Sequence, residues 1–146
     1  MASKAMSNND MSLNYQGALD TNALLRLLLN DLPKQCDAVK NLLAEAAGPY
    51  HVNPLVLAEV VFILQGKGYS RSDIAQNLKV LAGISLLYFD RSAFLPSLEL
   101  YQKYPALSFV DCYSLCEAQS NDALPLYTFD KDLIKKSAGK AKGLKT

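Results

Sequence analysis

The feature that most constrains this chain is a short apolar run that ends in an acid and turns at once into a helix. Tyr15 to Leu19 reads as a buried strand, Asp20 closes it, and Ala23 to Leu29 continues as an apolar helical stretch. The pattern recurs along the chain. Tyr50 to Val52 precedes a helix capped by Asn53, Ser85 to Phe89 is closed by Asp90, and Leu124 to Thr128 runs to Asp130. Strands that alternate with helices predict an α/β fold whose central sheet, mostly parallel and of four to five strands, is covered by helices on both faces. In such a sheet ligands bind beyond the carboxyl ends of the strands, so Asp20 and Asp130 are expected at one edge.

The helices follow from local signals. The first spans 22–30, and a second opens at Asp31-Leu-Pro33 and runs to Ala47 before Gly48-Pro49. Asn53 and Pro54 start a third, which ends in Gly66-Lys-Gly68. Ser70 and Asp73 begin a fourth, lasting to about Leu81. Arg91 to Lys103 is helical despite Pro96, Phe109 to Ser120 forms another helix, and Lys131 to Ser137 the last. The Gly/Lys tail is placed to add a final short strand.

A chain of 146 residues is enough for one domain with a sizeable core. Residues 13–138 are expected to form it. Residues 1–12 are polar and read as an extension, with Met11 an alternative start, and 139–146 as a basic tail. The longest apolar run, Leu55 to Leu64, is too short for a membrane span and is interrupted by Glu59. The amino terminus lacks the pattern of a signal peptide, and three cysteines without framework spacing favour a reducing compartment, so a cytoplasmic protein is expected. The net charge of +1 hides an asymmetry. Residues 131–146 carry six lysines against Asp132, a net +5, which leaves −4 for residues 1–130. An acidic body with a basic tail suits nucleic acid held near a carboxylate site, and equally a tail kept for solubility.

Asp20, Asp111 and Asp130 all stand at helix starts, where a carboxylate can simply cap orphan N–H groups. Glu59 differs, because its helix is apolar all round and is expected to be buried. A buried carboxylate needs a partner: either a base such as Arg26 or Arg71, or a divalent metal shared with Asp20. Four converging acids without matching bases would repel one another. Mg²⁺ or Mn²⁺ removes that repulsion, and such an ion activates water and steadies charge on a phosphate without help from histidine.

Four blocks in order, Leu19-Asp20-Thr-Asn22-Ala-Leu-Leu-Arg26, Val56-Leu-Ala-Glu59, Ser108-Phe-Val-Asp111-Cys112 and Tyr127-Thr-Phe-Asp130-Lys131, resemble the signature of PIN-domain nucleases, most closely the VapC toxins of toxin–antitoxin pairs. The resemblance covers Gly17 to about Lys135. It implies a three-layer α/β/α sandwich whose acids Asp20, Glu59, Asp111 and Asp130 bind one or two Mg²⁺ or Mn²⁺ and hydrolyse RNA. It also implies that Asn22 and Thr128 orient the carboxylates, and that Arg26 holds a carboxylate or a phosphate. The partners implied are RNA, a small antitoxin protein and a second copy of the chain, with no membrane. Asn53, where the family commonly has Ser or Thr, and the long lysine tail depart from the pattern.

Other signals carry less. Gly139-Lys-Ala-Lys-Gly143 has the wrong spacing for a phosphate loop and has no helix after it. Cys112 and Cys116, one turn apart, read as core residues, and His51 as a half-buried strand residue. Tyr101, Tyr104, Tyr113 and Tyr127 read mostly as core or rim, with base stacking as the other role. The lysines from Lys131 onward stand either as a solvated tail or as an arm for phosphates. An acid after the first strand also suits an aspartate phosphatase or receiver-like domain, although Asn22 replaces the second acid those phosphatases carry. A PIN fold kept only for binding RNA or protein is the non-enzymatic reading.

Overall fold

The computed structural model describes residues 14–146; the expected extension at 1–12 lies outside the described residues. Among the described residues the chain forms five short strands and seven helices. In order these are β1 (Gly17–Ala18), α1 (Thr21–Leu28), α2 (Pro33–Ala44), β2 (Tyr50–His51), α3 (Pro54–Gly66) and α4 (Arg71–Ala82). There follow β3 (Leu87–Tyr88), α5 (Arg91–Lys103), α6 (Phe109–Ser120), β4 (Leu126–Thr128), α7 (Lys131–Lys136) and β5 (Ala141–Gly143).

The class is α/β, but one central sheet of four to five strands does not form. The strands β1, β2 and β3 make a parallel three-stranded sheet, and β4 pairs in parallel with β5 in a separate one. The apolar runs are longer than the ladders they make, because hydrogen-bonded rungs need an aligned partner and not only apolar residues. Gly17, Tyr50 and Leu87 form one rung, and Ala18, His51 and Tyr88 the next. Side chains alternate across a strand. Tyr50 and Leu87 are buried, whereas Ala18 and Tyr88 are exposed. The outer face is thus open where helical cover was expected, apart from Tyr15, whose ring meets His51 at 5.2 Å and Tyr88 at 5.7 Å.

The core lies on the inner face. Leu24 and Leu25 of α1 join Leu57, Val60, Val61 and Leu64 of α3, Ile74, Leu78 and Leu81 of α4, and Phe94, Leu98 and Tyr101 of α5. Phe109 of α6 stacks edge-on against Phe94 and Tyr101, both at 6.1 Å. Helix α2 contributes little; its one buried residue is Cys36, whose thiol donates to the Leu29 carbonyl at 3.2 Å.

Among the described residues, six of the seven helices start where the sequence supplies a side-chain cap, and α2 opens on Pro33 without one. The side chains of Asp20, Asn53, Ser70, Asp90, Ser108 and Asp130 accept first-turn N–H groups of α1, α3, α4, α5, α6 and α7 respectively. Two arginines lock the connections. Arg91 donates to the carbonyls of Ala82, Ile84 and Leu87 at 2.8–2.9 Å and lies over the Phe89 ring. Arg71 does the same for Tyr101 at 2.7 Å, Tyr104 at 3.3 Å and Leu107, and covers the Tyr101 ring at 3.8 Å.

Candidate active site

The last backbone link of β1 is the Leu19 N–H to the His51 carbonyl at 3.0 Å, so Asp20 projects just past the sheet. Its Oδ1 accepts the Ala23 N–H at 2.9 Å, which caps α1. Asp130 repeats the arrangement beyond β4, with Oδ1 accepting the Leu133 N–H at 3.0 Å. Each carboxylate thus spends one oxygen on its helix. The two acids stand at the carboxyl ends of strands in different sheets, not at one edge of a single sheet as expected.

Asp111 does not cap. It is the third residue of α6, its N–H donating to Ser108 Oγ at 3.1 Å, and its half-buried carboxylate makes no hydrogen bond among the described residues. Glu59 departs further from expectation, because its side chain is exposed. Leu55 and Phe62, four residues before it and three after, are also exposed, so this stripe of α3 faces away from the core. An all-round apolar helix therefore does not imply burial here. The structural partners weighed for Glu59 are also engaged elsewhere: Arg71 clamps carbonyls, and Arg26 pairs with Asp31 at 3.1 Å.

Of the supporting residues, only Arg26 holds a carboxylate among the described residues, that of Asp31. Thr128 Oγ1 accepts the backbone N–H of Asp130 at 3.0 Å, so it fixes the turn and not the carboxylate. Asn22 is exposed, and its side chain makes no hydrogen bond among the described residues. Arg26 is buried, holding Asp31, with its Nε left without an acceptor.

Two residues outside the expected set belong to the same edge. Asp20, Asn53 and Asp90 each lie two residues past the Ala18–His51–Tyr88 rung, and therefore in register at the end of the three-stranded sheet. The signal for Asp90 was in the sequence, since Phe89-Asp90-Arg91 repeats the strand–acid–helix junction of Asp20. Its charge reaches inward: the Tyr113 phenol is pushed up to about 12, by burial first and then by the carboxylates of Asp90 and Glu117. A hollow of about 210 Å³ separates the first turns of α3 and α6, walled by Pro54, Leu55 and Ala58 on one side and Phe109, Val110 and Tyr113 on the other. Glu59 and Asp111 follow directly on two of those wall residues, Ala58 and Val110.

No basic side chain neutralises the four acids, because Arg26–Asp31 is the only ion pair among the described residues. Oxygen donors without a cation are the set a hard divalent ion prefers. The fit is one of chemistry and not of assembled geometry. Among the described residues, no three Asp, Glu, His or Cys side chains gather closely enough to hold one metal ion.

The PIN domain family model matches residues 18–139, a span that contains all four acids and their caps. The chain belongs to the PIN domain family. No characterised protein and no solved structure matches it. Its PIN domain is a nuclease fold, and hydrolysis of nucleic acid is the activity class that fold supports. Among the described residues, no helix is long and apolar enough to cross a membrane.

Proposed function

We propose that this PIN domain is a metal-dependent endoribonuclease, and that it serves as the toxin of a toxin–antitoxin pair. The observation that carries the reading is a set of four carboxylates, Asp20, Glu59, Asp111 and Asp130, inside the matched span and without a basic partner. These four would hold Mg²⁺ or Mn²⁺ once brought together, and the ion would supply Lewis acidity toward a phosphodiester and lower the pKa of a bound water. Asp20 and Asp130 are held for that role by their caps, which fix one oxygen of each and leave the other free. Thr128 sets the turn that aims Asp130. The protein acts in the cytoplasm, the reducing compartment that its three free, buried cysteines suit. The exposed Leu55 and Phe62 of α3 give a second copy or an antitoxin an apolar surface to cover.

Asp20→Asn tests the chemistry cleanly, because Asn caps a helix as well as Asp does and the fold should survive. RNA cleavage in Mn²⁺ is expected to fall at least about 100-fold, the order seen when a group acting on the transition state is lost, with an unchanged melting temperature. Chelator should abolish wild-type cleavage, and saturating Mn²⁺ should raise the wild-type melting temperature. Undiminished cleavage by Asp20→Asn ends the reading. One observation favours a second reading, a PIN fold that only binds: the acids are not gathered. No thermal shift in Mn²⁺ together with no cleavage would support it.

A further inference from the structure

The lysines left open as tail or arm, those from Lys131 onward, divide into two groups. Lys136 at the end of α7 and Lys140 in the turn before β5 line one cavity of about 330 Å³, where Lys103 at the end of α5 joins them. A second hollow of about 390 Å³ adjoins it, sharing Pro96 and Lys140. Lys131, Lys135, Lys142 and Lys145 line neither.

The three cavity lysines are placed, not trailing. Lys103 and Lys136 both bring Nζ toward the Tyr104 ring, at 5.2 and 5.5 Å from its centre. The ring's negative face tolerates two ammonium groups that would otherwise keep apart. Lys140 is fixed through its backbone: its N–H donates to the Ser137 carbonyl at 3.1 Å and its carbonyl accepts from Leu126 at 2.9 Å. Buried Ser137 ties the same turn, its hydroxyl accepting from Ala141 at 2.9 Å. One acid, Glu99, lines the cavity against three lysines, and none of these lysines forms an ion pair among the described residues. Cations brought together without counterions make a site for a polyanion.

Helix α7 connects this cavity to the acids. Asp130 caps its amino end and Lys136 closes its carboxyl end. Six helical residues span about 9 Å, roughly the rise of three stacked nucleotides. We propose that the Lys103–Lys136–Lys140 cavity is a backbone subsite for single-stranded RNA, holding phosphates about three nucleotides from the acidic site. Positively charged grooves that follow the backbone bind single strands in this way without reading sequence. The inference rests on the nuclease reading for its choice of RNA.

Binding of a labelled single-stranded RNA is measured by anisotropy on the full chain in chelator, across a salt series, so that cleavage plays no part. Lys103→Gln/Lys136→Gln/Lys140→Gln is compared with Lys131→Gln/Lys142→Gln/Lys145→Gln, which removes the same charge. Three phosphate contacts contribute about 2 to the slope of log K against log salt, so the first triple should lose that slope and bind on the order of 100-fold more weakly at about 0.1 M salt. The second should change affinity about threefold or less. Equal losses in both triples would reduce the site to diffuse charge and overturn the proposal, as would wild-type protein that does not bind RNA. Polyglutamate bound through the same lysines in place of RNA would also overturn it, in favour of an acidic protein segment. If the first triple melts early, Lys136→Gln/Lys140→Gln takes its place with two-thirds of the slope change. RNA bound through the lysines but never cut in Mn²⁺ would leave the subsite standing and remove the nuclease reading. RNA cut normally, with binding indifferent to the lysines, would do the reverse.

Discussion

Cys112 on α6 has no exposed surface, and its thiol is pushed up to about 12 by burial, with smaller contributions from Cys116 and Asp111. In the unfolded chain the same thiol ionises near 9.0. Because the folded state holds the proton more tightly, its stabilising effect is complete below pH 9 and is lost as pH rises toward 12. Each pH unit in that window costs at most about 1.4 kcal/mol from this group. Urea unfolding followed from pH 8 to 11 should show stability falling above pH 9, and less steeply in Cys112→Ala, which starts from a lower value. In the native wild-type protein Cys112 should resist iodoacetamide at pH 9 and react freely in urea. Equal labelling in both would contradict the burial. The pair Cys112 and Cys116 was legible as core because, one turn apart, they have no second cysteine pair and no His near them to complete a metal site. The exposure of Glu59 was not, since an apolar sequence says how many faces a helix could bury and not how many neighbours come to cover them.

At the scale of elements, the connection between α5 and α6 depends on α4. Arg71 at the start of α4 satisfies three carbonyls at the end of α5 and in the turn that follows. Removing it strands those acceptors in a part-buried place, and hydrogen bonds from a charged donor contribute more than neutral ones. Arg71→Ala should therefore cost about 2–4 kcal/mol by urea denaturation. Arg71→Lys should recover less than half, because a single ammonium cannot reproduce the planar fork or its stacking on Tyr101. Full rescue by Lys would mean that charge alone matters there. The helices themselves were readable: α5 and α6 run from Arg91 to Lys103 and from Phe109 to Ser120 as their caps and Pro105 dictate. Strand lengths and the split into two sheets were not, because rungs such as Ala18–His51–Tyr88 join residues far apart in the chain. For the same reason the sequence showed Asp90 closing a strand, but only the register places it level with Asp20.

For the molecule as a whole, the lysine-rich end decides between a tail and a structural part. Composition marks 139–146 as basic, and the final short strand expected within it forms as Ala141–Gly143, β5, the strand on which β4 depends. Ala141 is buried in the core cluster beside Leu133, and its rung faces Leu126. Ending the chain at Ala138 would remove the partner of β4, expose Leu133 and free the strand that delivers Asp130. Loss of several ladder hydrogen bonds at roughly 1 kcal/mol each predicts about 3 kcal/mol of destabilisation, on the order of 10 °C in melting temperature. Ending it at Gly143 removes Leu144, Lys145 and Thr146, all exposed and outside the strand, and should change melting by about 2 °C or less. A solvated appendage would leave both truncations equally stable. The contrast bears on activity as well: if β5 holds the turn that aims Asp130, the Ala138 truncation should lose RNA cleavage even below its melting temperature, while the Gly143 truncation retains it.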